Sequence, residues 1–232
     1  MRSSTCVECT NAVPYLESAL ALAPRSSHLR LLAGKAYLKT GDIESAEKWL
    51  VDWTFDENDH EFREVQALHA SIVAALDEFD QADVLAFEQN KPSEALPLAR
   101  KAASHYPELE AGKEFVRQVE IASAFETEDY ETFAQLSEAA WREHPTALSA
   151  EVYASALAAR YATSGEEQYR EQAKAMLAEA LQLCITEDEK MAYAEYGERI
   201  KHRLSSREII DKREYDRRFR SATQASPAEK RN

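Results

Sequence analysis

The chain has 232 residues, with 28 Lys/Arg against 42 Asp/Glu, five glycines, seven prolines and three cysteines. That length admits one elongated repeat domain or one to two compact ones, and the scarcity of helix breakers beside abundant Ala, Leu and Glu predicts an all-α fold. The composition argues against three further classes. No apolar run approaches the roughly 18 residues of a membrane span, the start MRSSTCVECTNAVPY lacks the apolar stretch of a secretory signal, and an odd cysteine count argues for a reducing, cytoplasmic setting rather than a disulfide framework.

In chain order, residues 1–10 form a Cys-containing segment, followed by NAVPYLESALALAPRS with Ala12, Ala19 and the terminating Pro24. The stretch 27–58 reads as an antiparallel helix pair. Gly34 and Ala46 are small where the two helices face each other, and Tyr37 fills the space beside them. Gly41 suits the left-handed end of the first helix and Asp42 the cap of the second. Residues 61–90 keep helical periodicity, with Phe62, Val65, Leu68, Ile72 and Leu76 on one side, until Lys91-Pro92 breaks the chain. SEALPLARKAASHYP then supplies Ala95, Ala102 and Pro107. We read 61–107 as one pair with an over-long or broken first helix. A separate pair made of 61–76 and 79–90 is the alternative.

A further pair spans 109–145, with a polar turn at Glu126 to Asp129, and the next has its loop at Ser164-Gly165. In that fourth pair Ala150, Ala154 and Ala158, with Ala175 and Ala178, predict close helix contact. Thr186 and Glu189 form a capping box that opens a helix to about Leu204. Residues 206–220 read as a basic amphipathic helix and 221–232 as a disordered tail. Charge is divided unevenly: residues 1–198 carry 17 Lys/Arg and 37 Asp/Glu, whereas 199–220 carry nine and four. The basic end is therefore the part able to meet an acidic surface.

The succession Ala33-Gly34, Tyr37, Gly41-Asp42, Ala46 resembles the tetratricopeptide repeat, most closely over 27–58 and more loosely over 11–184. The resemblance implies a right-handed α-solenoid of about four helix pairs over residues 11–205, closed by a C-terminal capping helix. It also implies a concave groove lined by first helices that binds protein or peptide without catalysis. On this register residues 11–25 are the second half of a repeat. Either the Cys-containing segment replaces the first half or the chain is a piece of a longer protein. Relatives that hold acidic chaperone tails use Lys and Asn on first helices. Here the corresponding positions are Leu31 and Lys35, with Lys39 a turn on, followed by Asp77 and Asp80 or, in the other register, Glu64. The absent Asn and the intruding acids argue against that kind of carboxylate clamp.

No chemistry stands out. Cys6-x-x-Cys9 is half of a zinc ribbon with no second Cys or His pair at the usual separation. Glu57-x-x-His60 occurs once where a di-metal helical site needs the motif twice. Neither phosphate-cradling glycine motif is present. We therefore expect no enzyme, cofactor or metal, but an interaction scaffold. The alternatives are a co-chaperone or secretion-type chaperone for extended segments, and a nucleic-acid or membrane contact through the basic end. The expected partner is another protein or peptide, with a homodimer through the C-terminal helix as a further prospect. Neither nucleic acid nor membrane insertion is expected. Candidate partner-binding residues are His28, Lys35 and Lys39 on the first helix of the 27–58 pair, and Arg207, Arg213, Tyr215, Arg217 and Phe219 at the basic end.

Overall fold

A computed structural model describes residues 7–51, 61–107, 109–210, 212–215 and 217–218, and every regular element among them is helical. None of these helices is long and apolar enough to cross a membrane. The chain divides into two compact units, Met1–Thr127 and Glu128–Asn232.

In the first unit, α1 (Val7–Leu22) packs on α2 (Ser27–Thr40), which pairs with α3 (Ile43–Leu50). Helix α2 opens where Ser26 accepts the Leu29 amide (3.3 Å) and closes at Gly41, whose φ of 85° only glycine adopts without strain. The next residue, Asp42, accepts the Ser45 amide (2.9 Å) and starts α3. At the helix contact a Cβ added to Gly34 would stand 3.1 Å from the Leu50 side chain, and Ala46 is fully buried. Tyr37 packs half-buried against this core and donates to Glu17 of α1 at 2.5 Å. Burial, and then the Glu17 carboxylate, push its phenol pKa up.

Helix α4 (Phe62–Asp83) runs unbroken and widens into a π-helical turn at Val84–Glu88, where the Gln89 amide reaches the Val84 carbonyl (2.9 Å). Asn90 takes a left-handed φ of 57°, and Pro92 opens α5 (Pro92–His105). Residues 61–107 are therefore one pair with an over-long first arm, and the division into 61–76 and 79–90 does not occur. Helix α5 presents Ala95, Ala99 and Ala102, all fully buried, and α6 (Glu110–Glu126) packs against it. The carboxylate of Glu78 in α4 meets Lys101 (2.6 Å) and His105 (3.2 Å) of α5.

The second unit contains α7 (Tyr130–Glu143), α8 (Ala147–Ser164), α9 (Glu167–Leu183), α10 (Glu187–Ser206) and the short α11 (Lys212–Tyr215). Asp129 caps α7, and capping boxes at Thr146/Ser149 and Thr186/Glu189 open α8 and α10. The second of these is the box legible in the sequence. Helix α8 buries Ala150, Ala154 and Ala158, as expected. Helix α9 does not follow the expectation, because Ala175 and Ala178 are exposed. Its buried stripe is Ala173, Leu177 and Ala180, an i, i+4, i+7 set of which Ala173 and Leu177 share a core with Ile200 and Leu204 of α10. Arg203 is buried and donates to the Ser155 carbonyl (2.9 Å) and hydroxyl (3.0 Å) of α8. Burial lowers its guanidinium to about 10, so it stays charged at neutral pH, while burial pushes the nearby Glu151 carboxyl up against the pull of Arg199 and Arg203.

The single helix expected over 206–220 is not formed. Helix α10 extends to Ser206 and stops at Arg207, which takes a left-handed φ of 59°. Residues 207–210 are non-helical before α11. The physical reason is a tertiary contact with α8. The Arg207 guanidinium reaches back to the Ala162 carbonyl (3.3 Å) and lies 5.5 Å over the Tyr161 ring, so the chain leaves the α10 axis.

Candidate partner-binding groove

Helices α1, α2 and α4, with Tyr106 just beyond α5, wall a groove of about 850 Å³ in the first unit. Its sides are mainly apolar. Tyr15 and Leu16 come from α1, Leu32 from α2 and Leu68 from α4, and Tyr15 is 78% and Leu32 40% exposed. Helical spacing explains the arrangement on α2. Leu31 and Leu38 are buried toward the core, with Leu38 also reaching the groove, while Lys35, Lys39 and Leu32 follow round the adjoining flank.

Lys35 and Lys39 are the groove's cations. The Lys35 ammonium stands 3.9 Å from Glu64 of α4, with both side chains more than half exposed, so this pair contributes little. Lys39 makes no ion pair with any described residue. Of the acids that the sequence offered on the next unit, Glu64 stands beside Lys35, and Asp77 and Asp80 are exposed farther along α4. His28 lies two turns before Lys35, and its Nδ1 meets Glu61 at 2.8 Å, outside the groove lining. Lys35 and Lys39 are thus brought together, and His28 is held apart as a tie between the starts of α2 and α4.

The C-terminal candidates belong to the second unit. Arg207 is committed to α8 as described above. Tyr215 meets His202 edge-on with ring centroids 5.7 Å apart, and Arg217 pairs with Glu214. Arg218, absent from the candidate set, pairs with Glu214 and with Glu208 at 2.5 Å. The Arg213 side chain and all of Phe219 lie outside the described residues, as do Cys6, the Cys9 side chain, Glu57, His60 and the 221–232 tail. Cys184 is buried at the end of α9, its thiol on the Ala180 carbonyl (3.3 Å). Among the described residues no three His, Cys, Asp or Glu side chains converge as metal ligands would.

The residues that sequence reasoning missed are Tyr15, Leu16 and Leu68 and the Tyr106 wall. The signal for α1 was present in its mainly apolar stretch from Val13 to Leu22, broken only at Glu17 and Ser18, too apolar for a lone helix whose outer side meets water.

No curated protein and no solved structure matches the chain. The elements that wall the groove from α1 to the middle of α4 coincide with a family match, for residues 10–72 fit the family model of the tetratricopeptide repeat.

Proposed function

We propose that the chain is a non-catalytic interaction scaffold of the cytoplasm whose α1–α2–α4 groove holds an extended or helical segment of a partner protein. Tetratricopeptide repeats generally mediate protein–protein interaction, and that is the coarse function this family match carries. The observation behind the finer reading is the groove's composition, exposed Tyr15 and Leu32 beside Lys39, which has no ion pair among the described residues. Apolar side chains of a ligand would supply most of the affinity, and the two lysines its orientation and rate of capture. His28 would act at the groove's approach. Arg207, Arg213, Tyr215, Arg217 and Phe219 would form a separate contact at the basic end.

The test is capture from native lysate with wild-type protein and with a Lys35→Glu, Lys39→Glu variant. The variant should bind a captured partner about tenfold more weakly, ~1.4 kcal/mol, with an unchanged helical circular dichroism spectrum. An unchanged affinity would remove the groove from the interface. One tight partner supports the scaffold, whereas many unrelated extended peptides of similar affinity would favour the chaperone reading. Loss of binding only on removal of the basic end, with a steep salt dependence, would favour a nucleic-acid or membrane contact.

A further inference from the structure

The second unit carries another groove, of about 390 Å³, between α9 and α10. Its floor is apolar, built from Leu177, Ala178 and Leu181 of α9 and Leu204 of α10. Its charged lining is entirely cationic, with Arg170 and Lys174 on the α9 wall and Lys201 on the α10 wall. In a chain with 28 Lys/Arg against 42 Asp/Glu, a groove whose charged lining is three cations runs against the prevailing charge.

We infer that this groove docks an acidic amphipathic helix of a partner protein, with apolar residues on the leucine floor and Asp or Glu flanking them. Three observations favour that occupant. The first is charge. The cations' ion-pair partners are Glu167 (2.6 Å), Glu171 (2.7 Å) and Glu198 (2.7 Å), each three residues earlier on the same helix, and Arg170 also lies 5.7 Å over the Tyr161 ring. Exposed pairs of this kind hold weakly and exchange readily for carboxylates brought in from outside. The second is shape. Within this unit α10 already lies against both α8 and α9, so a helix seated between two helices is a packing the unit itself uses. The third is that the chain's own basic end beyond α10 is a poor occupant, since 207–220 carries six cations against four acids and its described part is held by Tyr161 and His202. An anionic membrane would meet a flat or convex cationic face, whereas these cations stand on two walls of a slot. The inference does not depend on the α1–α2–α4 groove.

The probe is a fluorescent synthetic helix of about 18 residues, five turns, with leucines at i, i+4 and i+7 flanked by glutamates. Its control is the same peptide with lysines in place of the glutamates. Full-length protein should bind the acidic helix and discriminate against the basic one by anisotropy titration, more weakly as salt rises. Lys174→Glu with Lys201→Glu should lower that affinity about tenfold or more at an unchanged melting temperature. Lys35→Glu with Lys39→Glu should leave it as in wild type. Equal binding of both peptides, or an acidic-helix affinity unmoved by the Lys174 and Lys201 reversals, overturns the inference. So does loss confined to the Lys35 and Lys39 variant, which would place the helix in the first groove. A doubled sedimentation mass of the protein alone that the Lys174 and Lys201 reversals abolish would assign the groove to a second copy. Anionic vesicles bound through the same lysines, with no peptide bound, would assign it to a membrane.

Discussion

At Gly34 a single hydrogen atom decides how closely two helices approach. The Leu50 side chain sits 3.1 Å from where a Cβ would be, so the position has no room for a branched side chain. Gly34→Leu should destabilise the protein by about 1–3 kcal/mol through overpacking, read as a lower urea midpoint. An unchanged midpoint would mean that α2 and α3 do not meet at this register. Glu78 supplies a second residue-scale prediction. The bond from Lys101, with further help from His105, holds its carboxyl below the ordinary 4.5 despite the opposing effect of burial. A depressed folded-state pKa contributes stability that is full above the ordinary value and is lost as pH falls through the folded-state value. Glu78→Gln should therefore be less stable than wild type at neutral pH, and the difference should shrink in acid. Thermal melts at the two pH values test this, and a difference that does not change with pH would contradict it.

At the scale of the element, helix ends carry much of the local information. Thr186 accepts the Glu189 amide, and Glu189 reaches back to the Thr186 and Ile185 amides, whose bonds hold its carboxyl pKa down. Thr186→Ala should cost about 0.5–2 kcal/mol. Native hydrogen exchange should locate the loss in the first turn of α10, and an effect spread evenly over the unit would point to packing instead. These caps were readable because they depend on residues three apart. The course of α4 was readable in outline, since no Gly or Pro interrupts 62–90, but its π-helical end was not, because nothing in the local pattern distinguishes that turn from an α-helix. The rotation of α9 was misread for a related reason. Alanines occur at 173, 175, 178 and 180, and which of them turn inward depends on Leu177 meeting α10 rather than on their own spacing.

At the scale of the whole molecule, charge is divided between an acidic body and a basic end. The described part of that end is anchored by Arg207 on Tyr161 and Tyr215 on His202. Truncation after Leu204 should uncover Tyr161 and speed proteolysis of the second unit. The same truncation tests the homodimer. Sedimentation should return a monomer at concentrations where the full chain dimerises, with dimer dissociation rising with salt. Identical masses and identical protease sensitivity would show that the basic end binds neither its own unit nor a second copy.

What the sequence by itself determined is local. The all-α fold, the α2–α3 pair with its Gly34 contact, Gly41 turn and Asp42 cap, and the capping box of α10 follow from neighbours within a few turns, where backbone and side-chain preferences act directly. Lys35 and Lys39 were named on the repeat register that the resemblance implies, and both line the α1–α2–α4 groove. What only the tertiary structure decided is long-range. It brought Tyr15, Leu68 and Tyr106 to the same groove, tied His28 to Glu61 away from it, and turned Arg207 back onto α8 so that the expected last helix was interrupted. Each of those outcomes depends on contacts between residues separated by tens of positions, and periodicity within one segment cannot specify which distant surface that segment will meet.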